Sequence, residues 1–131
     1  MRLGYVILYV PDVAATLSFY ETVFGVKRRF LHESGQYGEV DTGATTLGFA
    51  AETLVETTCH GFRRNRPNET PAGAEVAFVV EDVQRAYETA VSKGATALVA
   101  PLRKPWGQTI AYVRDCNGFL VELCDEVRAP V

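Results

Sequence analysis

The chain has 131 residues, of which 47% are hydrophobic and 22% are charged, and its formal net charge is -3 at pH 7. These values are close to those of ordinary globular domains, so they exclude a disordered chain, a collagen and a coiled coil as the main state. The acidic balance disfavours nucleic acid as a partner, because proteins that bind it usually carry a basic excess. No apolar run approaches the roughly 18 residues of a membrane-spanning helix, so we expect no membrane partner.

The cysteines and the amino-terminal segment indicate a cytoplasmic protein. Cys59, Cys116 and Cys124 are odd in number and widely spaced, which argues against a disulfide framework and against a four-cysteine zinc site. Reduced thiols are the expected state in the cytoplasm. The first residues, MRLGYVILYVPD, have no small-residue cleavage site after their apolar run, so we interpret this run as a strand and not as a signal peptide.

An internal repeat divides the chain into two similar halves. Residues 4–13 read GYVILYVPDV and residues 74–83 read AEVAFVVEDV, so two apolar runs that end in Asp-Val align without a gap. Continuous apolar runs with β-branched and aromatic residues predict strands that are buried on both faces. Asp12 and Asp82 at their ends are suited to cap the helices that follow.

Each half then continues as one helix and three further strands. Apolar residues at i, i+4 and i+7 predict helices that end at Gly25 and Gly94. In the first half the further strands are predicted at residues 26–31, 37–41 and 45–51. In the second half they are predicted at residues 95–100, 108–114 and 119–125. The dipeptide Asn117-Gly118 is typical of a hairpin turn between the last two strands.

Three polar side chains fall on equivalent faces of the predicted strands. Side chains alternate between the two faces of a strand, which places Tyr5, Glu75 and Glu122 in corresponding positions. Glu122 lies within the otherwise apolar run FLVELC, where a buried carboxylate is costly unless it is paired or bound to a cation. Glu122 is therefore a candidate functional residue. Glu75 begins its strand, so a functional residue and a solvated strand end are equally good interpretations.

The two halves resemble the vicinal oxygen chelate superfamily, which includes glyoxalases, extradiol dioxygenases, fosfomycin-resistance enzymes and bleomycin-resistance proteins. The similar stretches are YVPDVAATLSFYETVFG, EVAFVVEDVQRAYETAVSKGA and PWGQTIAYVRDCNGFLVEL. The resemblance implies an α+β fold, in which two βαβββ modules form a curved mixed sheet around a cavity with helices on the outer face. It implies a single domain over residues 1–131, with modules at about 1–51 and 73–127, and a homodimer. The connection, residues 52–72, is long for a structureless segment, so we expect it to carry a helical turn or to cover a site.

The resemblance also implies where a metal ion would bind. Metal-using members hold a divalent cation with residues of the first and fourth strands of both modules, and the matching positions are Tyr5, Gly48, Glu75 and Glu122. Glu122 alone matches a usual ligand, and Gly48 has no side chain to offer, although Glu52 just beyond it could substitute. Glu122 and Glu75 would suit Mg²⁺ or Mn²⁺ better than Zn²⁺. With this incomplete set no cofactor is certain, and Mg²⁺, Mn²⁺, Zn²⁺, Ni²⁺ and Fe²⁺ all stay open.

Three functions remain open at this point. The first is a protein that binds a small molecule in the sheet cavity without a complete metal site, as bleomycin-resistance members do. A planar cationic ligand would suit the available carboxylates and aromatic rings, which are Glu75, Glu122, Tyr9, Tyr112 and Trp106. The alternative is a lyase, thiol transferase or dioxygenase that uses a divalent metal to act on a chelating substrate. The third is a metal-free enzyme in which Glu75 or Tyr5 is the catalytic group that transfers a proton.

Two further features allow both a functional and a structural interpretation. Trp106 follows a proline and precedes a glycine at the entrance to a strand, so it is either a platform for a ligand or a hydrophobic plug at the sheet edge. Arg63, Arg64 and Arg66 could clamp an anion, but a solvated loop is the favoured interpretation in a chain without wider basic character.

Overall fold

A computed structural model of the chain describes residues 1–127, and its elements follow the repeat in the sequence. The first half contains β1 (Tyr5–Val10), α1 (Val13–Phe24), β2 (Lys27–Leu31), β3 (Tyr37–Asp41) and β4 (Thr46–Ala51), and is followed by α2 (Glu52–Cys59). The second half contains β5 (Glu75–Val79), α3 (Val83–Ser92), β6 (Thr96–Arg103), β7 (Thr109–Arg114) and β8 (Leu120–Cys124). The predicted α+β class and the two βαβββ modules are confirmed. Residues 128–131 of the predicted domain lie outside the described residues.

Each module forms its own four-stranded mixed sheet. The strand orders are β1-β4-β3-β2 and β5-β8-β7-β6. In both sheets the first and fourth strands of the module are parallel, and the remaining neighbours are antiparallel. The chain divides into two compact units at Asn65 and Arg66, a point within the predicted connection at 52–72. That residues 1–131 act as a single domain stays a prediction.

The helices α1 and α3 begin where the sequence predicts. The side chains of Asp12 and Asp82 each accept a hydrogen bond of 3.0 Å from the backbone N–H three residues ahead, which satisfies a donor at the helix start. After α1, Gly25 has a φ of 69°, a left-handed conformation that glycine adopts without strain. Helix α3 is capped by Lys93, one residue before the predicted Gly94. Within residues 1–127 no helix has the length and apolar character needed to span a membrane.

The core of each unit lies between its main helix and one face of its sheet. In the first unit, the rings of Tyr20 on α1 and Phe49 on β4 are fully buried, with centroids 4.8 Å apart. An added Cβ at Gly38 on β3 would lie 2.6 Å from a side chain of α1, so this glycine lets the helix approach the sheet closely. In the second unit, Val113 and Val121 pair across β7 and β8 and are both fully buried.

The face of each sheet away from its main helix is exposed along the first strand, which corrects the expectation that the first strands are buried on both faces. Strands β1 and β5 lie at the edges of their sheets. Tyr5 and Ile7 on β1 and Val79 on β5 are exposed. An edge strand with a helix on one side needs only one apolar face for the core of its own unit. The apolar runs in the sequence therefore overestimated the burial of β1 and β5. We call these surfaces the open faces of the first and second sheets.

Candidate functional site

Two carboxylates share one phenol on the open face of the second sheet. The Tyr112 hydroxyl on β7 lies 3.1 Å from Oε1 of Glu75 on β5 and 2.9 Å from Oε1 of Glu122 on β8. The strand register explains this arrangement, because Glu122 pairs with Tyr112 on one side and with Ala77 on the other, two residues beyond Glu75. The structure thus brings together three predicted site residues, including both predicted metal ligands. We call this group the second-sheet cluster.

The phenol cannot satisfy both carboxylates of the second-sheet cluster. A hydroxyl has one proton, so at any moment it donates to only one of the two. Burial, the hydrogen bond to Glu122 and the negative charges of Glu122 and Glu75 raise the pKa of Tyr112 well above its ordinary value. No lysine or arginine among residues 1–127 forms an ion pair with either carboxylate. Within residues 1–127, therefore, no basic side chain balances the two carboxylates of the second-sheet cluster.

Cys124 lies two residues beyond Glu122 on the same face of β8 and is buried. Its thiol donates a weak hydrogen bond, 3.7 Å long, to the backbone carbonyl oxygen of Phe78. Burial and the nearby Glu122 raise the pKa of Cys124 to about 11. A thiol that stays protonated at neutral pH is a weak nucleophile and a weak metal ligand, so we assign Cys124 to packing.

The corresponding positions of the first sheet carry different side chains. Gly48 on β4 stands in the position of Glu122, and Glu39 on β3 stands in the position of Tyr112. The Tyr37 hydroxyl donates to Oε2 of Glu39 over 2.7 Å and lies only 2.6 Å from where a Cβ at position 48 would be. The tyrosine therefore fills the space that a side chain on Gly48 would need.

Tyr5, predicted to transfer a proton, belongs to the first sheet and not to the second-sheet cluster. Its side chain is 57% exposed on the open face. The pKa of Tyr37 is raised chiefly by burial, then by Glu39 and to a smaller extent by Tyr5. Glu39 is 6% exposed, and Arg29 lies on its other side with Nε 3.6 Å from Oε1.

Sequence reasoning missed Tyr37, Glu39 and Arg29 as site residues. One signal could have identified Glu39, which is a carboxylate within the short strand YGEVD. This is the same kind of signal that singled out Glu122. The position of Tyr37 over Gly48 has no such signal, because it depends on how two neighbouring strands pair.

The residues at the implied ligand positions do not fit a complete metal site. The place of a ligand at Gly48 is taken by Tyr37. Glu52, the expected substitute, begins α2, is buried, and lies 3.8 Å from Nε of Arg64. Among residues 1–127, no group of three or more His, Cys, Asp or Glu side chains is arranged to hold a metal ion. Glu75 and Glu122 alone are fewer than the three protein ligands usual in catalytic zinc sites.

Trp106 lies beside a surface cavity of about 310 Å³ at the hairpin between β6 and β7. The indole N–H donates to Oε1 of Gln108 over 2.9 Å, and the Lys104 ammonium lies 5.9 Å from the ring centroid. The ring is 55% exposed, which fits a platform better than a hydrophobic plug. The cavity is lined by Arg103, Trp106, Gly107, Asp125 and Glu126.

Residues of the connection cover Tyr9 on the open face of the first sheet. The rings of Phe62 and Tyr9 pack edge to face with centroids 5.0 Å apart, and the Arg64 guanidinium lies 5.0 Å from the Phe62 centroid. Arg64 also forms ion pairs with Glu52 and Glu56 of α2. The connection therefore contains a helix and covers part of the sheet, as its length indicates. Its arginine at position 64 is engaged within the protein.

Comparison with known proteins identifies the class and then the family. The paired βαβββ modules, each with a polar cluster on its open face, define an α+β protein built from two related sheets. The sequence profile of the Glyoxalase/Bleomycin resistance protein/Dioxygenase superfamily matches residues 2–123, and the chain belongs to this superfamily. The chain is 25% identical over 124 residues to the uncharacterized protein YraH of Bacillus subtilis (strain 168), a match that covers 94% of this chain and 97% of YraH.

Solved structures of similar proteins share the fold. A glyoxalase-related enzyme from Fulvimarina pelagi matches with a TM-score of 0.82 and 20% identity, covering 99% of this chain and 91% of that one. A glyoxalase/bleomycin resistance protein/dioxygenase family enzyme from Burkholderia phytofirmans PsJN matches with a TM-score of 0.78 and 23% identity, covering 98% and 100%. TioX from Micromonospora sp. ML1 matches with a TM-score of 0.71 and 21% identity, covering 95% and 98%.

Proposed function

We propose that this chain binds a planar cationic small molecule through its second unit and needs no metal ion to do so. The observation that carries the proposal is the second-sheet cluster, in which Glu75 and Glu122 share the single proton of Tyr112. No basic side chain among residues 1–127 pairs with these carboxylates. A cationic group of a ligand would supply the missing charge, and the partial burial of Glu122 would make the attraction stronger than at an exposed site.

The cavity beside Trp106 offers an aromatic face in the same unit, although its described lining includes none of Glu75, Tyr112 and Glu122. Its volume of about 310 Å³ is at the lower end of the roughly 300–1,000 Å³ that small-molecule sites occupy. The Lys104 ammonium already lies over the Trp106 ring, and Arg103 is also part of the lining. Asp125 and Glu126 add carboxylates to the lining.

A titration with N-methylquinolinium, a planar quaternary cation, tests this proposal. Calorimetry would measure its binding, and Trp106, the single tryptophan, would report stacking by fluorescence. Replacing one charged hydrogen-bonding partner changes affinity by about tenfold, so we expect this loss in Glu122→Gln. Glu81→Gln is the matched control, because Glu81 is an exposed carboxylate in the turn between β5 and α3. Equal binding of neutral quinoline, or no loss in Glu122→Gln, would contradict the proposal.

The alternative function is a lyase, thiol transferase or dioxygenase that depends on a divalent metal and acts on a chelating substrate. One observation favours it: oxygens of Glu75 and Glu122 lie within hydrogen-bond distance of the same Tyr112 atom. Elemental analysis after dialysis against Mg²⁺, Mn²⁺, Zn²⁺, Ni²⁺ and Fe²⁺ distinguishes the two functions. One retained ion per chain that is lost in Glu122→Gln would support the alternative, and wild-type protein without retained metal would count against it.

We also propose that the chain forms a homodimer and works in the cytoplasm. The exposed apolar residues Leu98 and Leu102 on the edge strand β6 support association, because apolar side chains gain stability when they leave water. The three cysteines form no disulfide, which agrees with a reducing compartment. Light scattering coupled to size-exclusion chromatography would measure the oligomeric state, and a monomer at working concentration would contradict the dimer.

A further inference from the structure

A polar cluster on the open face of the first sheet is not used by the proposed function. It consists of Tyr5, Arg29, Tyr37 and Glu39, and we call it the first-sheet cluster. The Glu39 carboxylate is almost fully buried, and both of its oxygens have a partner. Oε2 accepts the Tyr37 hydroxyl over 2.7 Å, and Oε1 lies 3.6 Å from Nε of Arg29.

The first-sheet cluster presents hydrogen-bond donors to the surface. The proton of Tyr37 is already donated to Glu39. Apart from its ion pair with Glu39, Arg29 makes no hydrogen bond or ion pair among residues 1–127, and its side chain is 52% exposed. The exposed Tyr5 hydroxyl also donates to no group in the described part of the chain. A guanidinium whose two terminal nitrogens are free is well suited to bind a carboxylate through two parallel hydrogen bonds.

An apolar surface adjoins these donors. One cross-strand row runs over the first sheet from Ile7 through Gly48 and Glu39 to Phe30. Ile7 and Phe30 at its two ends are both exposed, although both side chains are apolar. The ring of Phe30 lies 6.0 Å from that of Tyr37, so aromatic surface continues towards the middle of the sheet. A flat apolar ring would find contacts here that water does not provide.

We propose that the first-sheet cluster binds an aromatic carboxylate. The terminal nitrogens of Arg29 pair with the carboxylate group of the ligand, and Phe30 contacts the ring. Glu39 is a positioning residue that holds Arg29 at the face of the sheet. The proposal involves the first unit alone and does not depend on the cation-binding function proposed for the second-sheet cluster.

Arg28 provides a matched control for Arg29. It is the preceding residue of β2, but it lies on the helix side, where its guanidinium pairs with Glu21 of α1 at 2.8 Å. The variants Arg29→Gln and Arg28→Gln therefore remove the same charge from neighbouring positions on opposite faces. The difference between their affinities for a ligand separates the role of the open face from the effect of net charge.

Calorimetric titration with benzoate, and with the neutral analogue benzamide, tests the proposal. Losing a bidentate charged pair weakens binding by about tenfold or more, so we expect this effect for Arg29→Gln and for benzamide, and less than about a twofold change for Arg28→Gln. Glu39→Gln keeps an acceptor for Tyr37 but loses the ion pair that holds Arg29, so it should bind benzoate more weakly than the wild type, with a smaller loss than Arg29→Gln. Arg29→Lys keeps the positive charge but cannot form the two parallel hydrogen bonds, so it should show an intermediate loss of affinity for benzoate.

Three outcomes would overturn the proposal: no binding of benzoate by the wild type, equal losses in Arg28→Gln and Arg29→Gln, or a larger loss in Glu39→Gln than in Arg29→Gln. Thermal unfolding of each variant reports its folding, and Glu39→Gln and Arg29→Lys keep the test valid if Arg29→Gln is unstable. Binding of N-methylquinolinium should be unchanged in Arg29→Gln. The two titrations therefore distinguish a missing aromatic carboxylate site from a missing cation site.

Discussion

The two sheets have the same backbone plan but opposite chemistry on their open faces. The row Ile7-Gly48-Glu39-Phe30 in the first sheet corresponds to the row Ala77-Glu122-Tyr112-Val99 in the second. In the second sheet two carboxylates compete for one phenol proton, so the surface presents acceptors. In the first sheet one carboxylate is buried beneath a phenol and beside an arginine, so the surface presents donors.

This difference depends largely on one position. Glu122 places a carboxylate in the middle of the second sheet, whereas Gly48 leaves an empty place in the first. The Tyr37 side chain occupies that place and donates its proton to Glu39. A repeated fold can therefore keep its hydrogen-bonded strands and still reverse the polarity of a surface, because side chains on the open face are free of core packing.

The largest expected effect comes from making the first sheet resemble the second. In Gly48→Glu the new side chain collides with Tyr37 and brings a second carboxylate beside the buried Glu39. We expect a loss of about 3 kcal/mol or more in the free energy of unfolding, measured by denaturant titration. Gly61→Glu is the control, because an added Cβ there meets no atom within 4 Å. Equal stability of the two variants would show that Tyr37 does not fill the site.

A smaller difference is expected when each tyrosine loses its hydroxyl. Tyr37→Phe leaves the buried carboxylate of Glu39 without its donor, which costs about 1–3 kcal/mol. Tyr112→Phe affects carboxylates that water reaches, since Glu75 is exposed, so we expect a loss of less than about 1 kcal/mol. Chemical unfolding of both variants measures the contrast, and a larger loss in Tyr112→Phe would reverse our assignment of the two clusters.

The last expected effect is a loss of stability at alkaline pH that is specific to the second unit. Cys124, whose counterpart in the first sheet is Ala50, has a pKa raised from 9.0 to about 11 in the folded protein. Above pH 9 the unfolded thiol ionises while the folded thiol stays protonated, so stability is full below pH 9 and falls towards pH 11. We expect a fall of about 1–2 kcal/mol over this window in the wild type.

The variant Cys124→Ala should lack this part of the pH dependence, while the tyrosines still destabilise the fold above their ordinary pKa of 10.0. Unfolding titrations at pH 8, 9 and 10 in both proteins would measure the difference. Parallel pH profiles for the wild type and the variant would contradict the raised pKa of Cys124.

Most of the fold could be predicted from the sequence, because each element has a local signal. Strand β3 was predicted at the residues that it occupies, and Asp12 and Asp82 cap the helices as expected. The burial of β1 and β5 was overestimated because an apolar run does not reveal whether its strand lies at the edge of a sheet. Alternation correctly placed Glu75 and Glu122 on one face, and the register then brought them to Tyr112.

The first-sheet cluster could not be predicted in the same way. Gly48 was interpreted as a missing ligand, whereas in the structure its small size makes room for Tyr37 from the neighbouring strand. Arg29 reaches Glu39 at a shift in register between Arg28 and Phe30, and the sequence alone has no signal for that irregularity. Contacts between strands depend on register and on rotamers, so they become visible only once the sheet is known.

The central claim is that the second sheet presents acceptors and the first sheet presents donors. The most direct test is one titration with N-methylquinolinium performed in parallel on the wild type, Glu122→Gln and Arg29→Gln. We predict that Glu122→Gln weakens binding by about tenfold and that Arg29→Gln leaves it within about a factor of two of the wild type. Equal affinities for the wild type and Glu122→Gln, or a loss confined to Arg29→Gln, would contradict the claim.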